Sequence, residues 1–134
     1  MKESFGRLMI DIEGAALSSH DIELIENPHI GGLILFERNF VSKNQLIDLC
    51  AQIKSVKKNI LVSIDQEGGR VQRLRQEFTN LPSMQALGDI ADKTKNCSLL
   101  NDVGWLMASE LIATGIDISF APVIDVDRQT SSII

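Results

Sequence analysis

The sequence predicts an α/β fold built on a parallel β-sheet, and three observations indicate it. Four short runs are almost continuously apolar, as expected for strands that are buried on both faces. Segments with a 3.6-residue apolar period lie between these runs. Strands that alternate with helices through right-handed crossovers form parallel sheets. An open doubly wound sheet and a (β/α)8 barrel both satisfy these observations, and no internal repeat selects between them.

The four predicted strands are spread along the whole chain. They are short, and each is rich in β-branched or large apolar residues. Their predicted bounds are Arg7–Asp11, Gly31–Phe36, Ile60–Asp65 and Asp117–Ala121, the last extending to Val123.

Three helices are predicted between these strands. The first covers about Ser19–Glu26, with Ser18 or Ser19 as N-cap, and stops before a proline. The second begins at Ser42, and one of its faces carries Leu46, Leu49, Cys50, Ile53 and Val56. The third is the longest, with the periodic positions Leu99, Leu100, Val103, Leu106, Met107 and Leu111. Gly115 is its predicted C-cap, and Trp105 is expected to pack rather than to contact a ligand.

Composition excludes several classes of protein. With 44% hydrophobic and 23% charged residues and no low-complexity tract, the chain is neither disordered nor fibrous. The net charge of −5 is spread along the chain, so no basic stripe predicts a nucleic-acid partner. The longest apolar runs are far shorter than the roughly 20 residues that cross a bilayer. The N-terminus also lacks an apolar signal core, so the predicted location is the cytoplasm and no membrane contact is expected.

The cysteines and histidines do not form a recognisable site. Cys50 and Cys97 lie in different helical patterns, without metal-ligand spacing, which predicts reduced and partly buried thiols. His20 and His29 flank the first helix and are expected to be structural or exposed. No nucleophile and no metal ligand is therefore predicted among these four residues.

Acidic residues follow three of the four predicted strands in a D-x-(D/E) pattern. The three pairs are Asp11 with Glu13, Asp65 with Glu67, and Asp125 with Asp127. Ligands meet parallel α/β sheets at the carboxyl ends of their strands, so these acids are expected around one pocket. Such carboxylates can bind sugar hydroxyls, act as acid and base in hydrolysis, or hold a divalent cation. The spacing leaves these three chemistries open, and strands that merely end at solvent are the simpler alternative.

Two glycines and two arginines follow Asp65 and Glu67 directly. Gly68 and Gly69 suggest a turn or a close backbone approach. A phosphate loop is disfavoured, because no GxGxxG or GxxxxGK[ST] motif is present and the preceding acids repel phosphate. If the following segment is helical, Arg70 and Arg73 lie on one face, where each can pair with a nearby acid or donate to a ligand.

Four segments together resemble glycoside hydrolase family 3, and within it the bacterial β-N-acetylglucosaminidases of cell-wall recycling. They are IGGLILFERNF (Ile30 to Phe40), DQEGGRVQRL (Asp65 to Leu74), FTNLPSMQALG (Phe78 to Gly88) and GWLMASELIATGIDISFAPVIDV (Gly104 to Val126). The resemblance implies a (β/α)8 TIM barrel that removes non-reducing terminal N-acetylglucosamine from 1,6-anhydro-muropeptides with retention. β-Glucosidase-type specificity is the alternative within the family, and the IDISFAPVIDV segment favours the N-acetylglucosamine branch.

The resemblance also implies which residues contact substrate. Asp65 opens the DQEGG motif and Arg73 closes VQR, and both match substrate-binding positions of the family. The family's catalytic aspartate and histidine belong to SDD-like and KHFPGHG-like motifs, and neither motif occurs in this sequence. No catalytic residue, metal or cofactor is therefore predicted for this chain. Arg70 is expected to brace the loop, and Asp125 to lie near the site.

Length completes the prediction. A (β/α)8 barrel needs about 250 residues, so the 134 residues correspond to the first four or so β/α units, an incomplete single domain. We expect a fragment that is inactive alone, from a full-length protein that is monomeric. A non-catalytic sugar-binding or assembly half-barrel and a divalent-metal enzyme are the functional alternatives.

Overall fold

A computed structural model of the protein describes residues 5–125. Its centre is a four-stranded parallel sheet in the order β1-β2-β3-β6, formed by β1 (Leu8–Ile10), β2 (Ile30–Leu35), β3 (Leu61–Ile64) and β6 (Ile118–Ser119). An antiparallel ribbon follows β3, made of β4 (Gln66–Gly68) and β5 (Val71–Gln72). The helices are α1 (Ser19–Glu26), α2 (Lys43–Val56), α3 (Met84–Thr94) and α4 (Ser98–Ala113), and a 3-10 turn spans Glu37–Asn39. The α/β prediction is confirmed.

The strands of the main sheet are all parallel, so their carboxyl ends share one edge. β2 and β3 form the longest ladder, in which Gly32 is opposite Leu61 and Leu35 is opposite Ile64. β1 pairs with β2 through an irregularity after Leu8, and β6 adds two residues beside β3. The acids predicted to follow β1 and β3 therefore leave the sheet on the same side.

The core lies between the sheet and the helices that cover it. β2 and β3 contribute Leu33, Leu35, Val62 and Ile64, all at most 1% exposed. The predicted apolar face of α2 is confirmed, because Leu46, Leu49, Cys50 and Ile53 are buried and Val56 packs at the edge of the same cluster. Apolar burial of this kind contributes roughly 25 cal/mol per Å² removed from water.

Serine caps fix the starts of the first two helices. The Ser18 hydroxyl accepts from the Asp21 backbone N–H at 3.1 Å, and the Asp21 carboxylate accepts from the Ser18 N–H at 2.8 Å. This capping box selects Ser18 over Ser19 as the N-cap. Ser42, predicted as the start of α2, is its N-cap and accepts from the Gln45 N–H at 3.2 Å.

The predictions for α4 hold only in part. Leu111 is buried and Gly115 follows the helix with φ +92°, as expected of a glycine cap. Trp105, however, is 73% exposed, so the prediction that it packs is wrong for the described part of the chain. At about 100° per residue it lies roughly 120° around the helix from Leu111, away from the sheet. Cys97 is exposed as well, whereas Cys50 is buried, so the prediction of a partly buried thiol is wrong for Cys97.

The elements that were not predicted include α3 and the ribbon. The helix α3 buries only Leu87, although its apolar residues follow the helical period. The segment after Gly69 is a β-ribbon and not a helix, so Arg70 and Arg73 do not share a helical face. Within residues 5–125, no helix combines the length and apolarity needed to cross a membrane.

Candidate functional site

Asp65 and Arg73 form an ion pair at the carboxyl edge of the sheet. Asp65 follows the last residue of β3, and Arg73 follows the last residue of β5. The Arg73 Nη2 donates to the Asp65 Oδ2 at 3.0 Å. The two side chains are 32% and 23% exposed, so the pair is half-buried and still reachable from solvent.

Arg73 keeps hydrogen-bonding capacity beyond this ion pair. Its Nε is buried and has no hydrogen-bond partner among the described residues. A guanidinium presents five N–H donors in a rigid fork, and the contact with Asp65 uses one of its nitrogens. The guanidinium therefore has N–H groups that the ion pair does not use.

The glycine pair explains how Arg73 returns to Asp65. Gly68 and Gly69 have φ of +90° and +59°, values that other residues adopt only with strain. A Cβ at Gly68 would lie 2.3 Å from the Pro82 carbonyl oxygen, and one at Gly69 would lie 2.7 Å from the Ser83 Cβ. The Gly69 N–H donates to the Leu81 carbonyl at 2.8 Å. The glycines thus serve a tight turn against the segment before α3, and a phosphate is not needed to explain them.

An aromatic ring connects this pair to the neighbouring strands. Phe36 follows β2, and the Arg73 guanidinium carbon lies 5.8 Å from its ring centroid. The Arg38 guanidinium carbon lies 4.7 Å from the same centroid, and Arg38 also forms an ion pair with Asp11 after β1. Cation–π contacts of this geometry are favourable. Asp11 and Asp65 therefore each have a guanidinium partner, and both guanidinium groups contact one ring.

Sequence reasoning missed Phe36 and Arg38, as well as two buried glutamines of the ribbon, Gln66 and Gln72. The glutamines are 2% and 5% exposed. Their signal was present in DQEGGRVQR, where two amides flank the glycine turn, since a buried amide must find hydrogen-bond partners. Arg38 and Phe36 carried no comparable signal.

Three other predicted residues lie in a separate cleft of about 650 Å³ beside the ribbon and α3. Its lining includes Glu67, Arg70, Asp89, Asp92 and Asp125, but neither Asp65 nor Arg73. Asp125 is exposed there, and Asp127 lies outside the described residues. The structure therefore places Glu67, Arg70 and Asp125 around this cleft and not around the ion pair.

Between residues 5 and 125, no three His, Cys, Asp or Glu side chains lie close enough to share a metal ion. His20 and His29 are exposed, as predicted.

Parallel β/α enzymes bind their ligands at the carboxyl ends of the strands, where the Asp65–Arg73 pair lies. A carboxylate accepts from two neighbouring hydroxyl groups, and a guanidinium donates to the same pair. The fold and the ion pair thus define a chain of the parallel β/α enzyme class, with a polar site at its strand ends that suits a ligand rich in hydroxyl groups.

The chain belongs to glycoside hydrolase family 3: the family described as "Glycosyl hydrolase family 3 N terminal domain" matches residues 4–134. It is 47% identical over 129 residues to a β-hexosaminidase of Pseudomonas aeruginosa, covering 96% of this chain and 38% of the relative. The resemblance found in the sequence is confirmed.

Solved structures agree with the fold. The crystal structure of native NagZ from Neisseria gonorrhoeae matches with a TM-score of 0.88 and 42% identity, covering 93% of this chain and 38% of that protein. The same gonococcal protein in complex with N-trifluoroacetyl-D-glucosamine matches equally well. The fold is therefore the N-terminal half of a TIM-type barrel, and the chain spans 38% of the length of these relatives.

Proposed function

We propose that the protein carrying this chain is a β-N-acetylhexosaminidase. It removes non-reducing terminal β-linked N-acetylglucosamine from peptidoglycan fragments of the 1,6-anhydro-muropeptide type, with retention, in cytoplasmic peptidoglycan recycling. The observation that carries the proposal is the half-buried Asp65–Arg73 pair at the carboxyl edge of a family 3 sheet. The name of the Pseudomonas relative and the sugar analogue bound to gonococcal NagZ support the substrate class.

The proposed roles follow from the chemistry of the pair. Asp65 accepts hydrogen bonds from two adjacent hydroxyls of the terminal sugar, while Arg73 donates to the same hydroxyls. These contacts fix the register of the sugar ring, so that acid–base and nucleophilic groups elsewhere in the protein act on the anomeric carbon.

The organisation of the protein is part of the proposal. Residues 1–134 form the first four or so β/α units of a single domain, and they supply sugar-positioning groups to it. The rest of the catalytic machinery comes from other parts of the barrel, and the whole protein acts as a monomer without cofactor.

The test is a kinetic measurement on the whole protein that carries this chain. Hydrolysis of 4-nitrophenyl N-acetyl-β-D-glucosaminide is measured for the wild type, for Asp65→Ala and for Asp48→Ala, an exposed acid of α2. Asp65→Ala is expected to lower kcat/KM roughly a hundredfold, as for the loss of a charge-assisted contact to substrate. Asp48→Ala is expected to match the wild type, because Asp48 is exposed on α2, outside the buried face that packs on the sheet.

Further substrates separate the alternatives. Faster hydrolysis of the corresponding β-glucoside would show β-glucosidase-type specificity, and NMR of the first-formed anomer reports retention directly. Sugar binding by calorimetry without hydrolysis of either substrate would favour a non-catalytic module. Unchanged kinetics for Asp65→Ala would remove Asp65 from the site.

A further inference from the structure

We infer that Gln66 is a positioning residue for the substrate site: its buried side-chain amide holds Arg73 against Asp65. This inference rests on the proposed function for its kinetic readout. Its structural basis lies in the ribbon β4–β5, which the sugar contacts themselves do not explain.

The Gln66 side chain binds three backbone groups around Arg73. Its Oε1 accepts from the N–H of Arg73 and from the N–H of Leu74, each at 3.0 Å. Its Nε2 donates to the carbonyl of Leu74, also at 3.0 Å. The side chain is 2% exposed, so water does not compete for these groups. One amide therefore fixes the backbone on which the Arg73 side chain is mounted.

These contacts satisfy backbone N–H groups that have no partner strand. The ladder of the ribbon ends where Gln66 pairs with Gln72, so the chain beyond Gln72 has left the ladder. The N–H groups of Arg73 and Leu74 follow at once and need acceptors inside the fold. The Gln66 amide supplies the acceptor for both, which extends the ribbon by a side chain instead of by backbone.

The position of Gln66 in the chain makes the arrangement specific. Asp65 and Gln66 are consecutive, so one dipeptide provides the carboxylate of the ion pair and the amide that holds its partner. The backbone of Gln66 is fixed in turn by Ser119 of β6, whose Oγ accepts from the Gln66 N–H at 3.3 Å and donates to its carbonyl at 2.9 Å. The distance between Asp65 and Arg73 therefore depends on a short series of hydrogen bonds from Ser119 to Gln66 and from Gln66 to the Arg73 backbone.

Gln72 offers a matched comparison. It is 5% exposed, and its Nε2 donates to the carbonyls of Leu74 and Thr79, both at 2.9 Å. Its Oε1 accepts from the Leu81 N–H at 3.0 Å. The Gln72 side chain therefore stabilises the segment that follows Arg73, and none of these three hydrogen bonds involves the Arg73 backbone.

The experiment compares Gln66→Met and Gln72→Met in the whole protein that carries this chain. With 4-nitrophenyl N-acetyl-β-D-glucosaminide, Gln66→Met is expected to raise KM at least tenfold, and Gln72→Met by less than about threefold, at similar losses of Tm. Equal KM increases for the two variants would overturn the inference.

A second measurement does not depend on catalysis. The Arg73 Nε–H resonance is followed by NMR, and its exchange with water is expected to be at least tenfold faster in Gln66→Met than in Gln72→Met. Equal exchange rates in these variants would overturn the inference even if the wild type hydrolyses nothing. A wild type that lacks hydrolysis but shows the exchange difference would refute the proposed function and leave the positioning role of Gln66 supported.

Discussion

Gly68→Ala tests whether the site depends on the backbone of the ribbon. Gly68 adopts φ +90°, and a Cβ there would lie 2.3 Å from the Pro82 carbonyl oxygen and 3.1 Å from the Leu81 Cβ. Real Cβ atoms essentially never approach closer than 3.0 Å, so the ribbon or the segment before α3 must move by about 0.7 Å. The neighbouring hydrogen bond from the Gly69 N–H to the Leu81 carbonyl, 2.8 Å long, lies in the path of that movement.

The cost combines three effects. An L-residue in the left-handed region costs roughly 1–2 kcal/mol, and loss of a backbone hydrogen bond costs about another 1 kcal/mol. With roughly 1–2 kcal/mol for the steric displacement, we expect Gly68→Ala to lower the free energy of unfolding by about 3–5 kcal/mol. Arg73 is carried by the same ribbon, so substrate affinity should fall as well.

Urea unfolding followed by far-ultraviolet circular dichroism measures this change. Gly104→Ala is the matched control, because Gly104 lies within α4 and a Cβ there meets no atom within 4 Å. That substitution should stabilise the protein by about 0.5–1 kcal/mol through helix propensity. A Gly68→Ala variant within about 0.5 kcal/mol of the wild type would refute the steric reasoning.

Two further predictions concern the thiols and one concerns a cap. Iodoacetamide at pH 8 should label the exposed Cys97 quickly and the buried Cys50 only after unfolding, as mass spectrometry of peptides would show. Burial, the largest effect, together with the Asp117 carboxylate and against Lys54, raises the pKa of the Cys50 thiol from 9.0 to about 11. The stability due to the neutral thiol is therefore complete below pH 9 and lost as pH rises through 11, so unfolding free energy should fall by about 2 kcal/mol more in the wild type than in Cys50→Ala. Ser18→Ala should cost about 1 kcal/mol in thermal unfolding, whereas Ser19→Ala should be nearly neutral, and equal effects would contradict the capping box.

Sequence patterns predicted the elements that bury strong apolar periods. The strand β2 was placed within a residue at each end, and the bounds of α1 were correct, because apolar runs and caps are local signals. The helix α3 was missed although its apolar residues follow the helical period and Ser83 caps it, so its signal was present in the sequence. The ribbon was missed because its residues are mostly polar and glycine-rich, and its stability comes from amide contacts instead of apolar alternation.

The residues of the site were predicted, but their contacts were not. Asp65 and Arg73 were identified by resemblance to the family, and their substrate roles stay a proposal. Their contact could not be derived from spacing, since a helix after Gly69 was considered and the structure has a ribbon. The contact between Arg38 and Asp11 joins residues 27 positions apart, and only the pairing of β1 with β2 brings them together.

The order of the strands in the sheet has a consequence for biosynthesis. β1, β2, β3 and β6 are neighbours in the same order in which they leave the ribosome, so each strand finds its partner already made. Asp65 and Arg73 are only eight residues apart, and the ribbon between them can close before α4 has left the ribosome. The two charges can therefore meet while the nascent chain is still tethered, and Ser119 of β6 then hydrogen-bonds to Gln66.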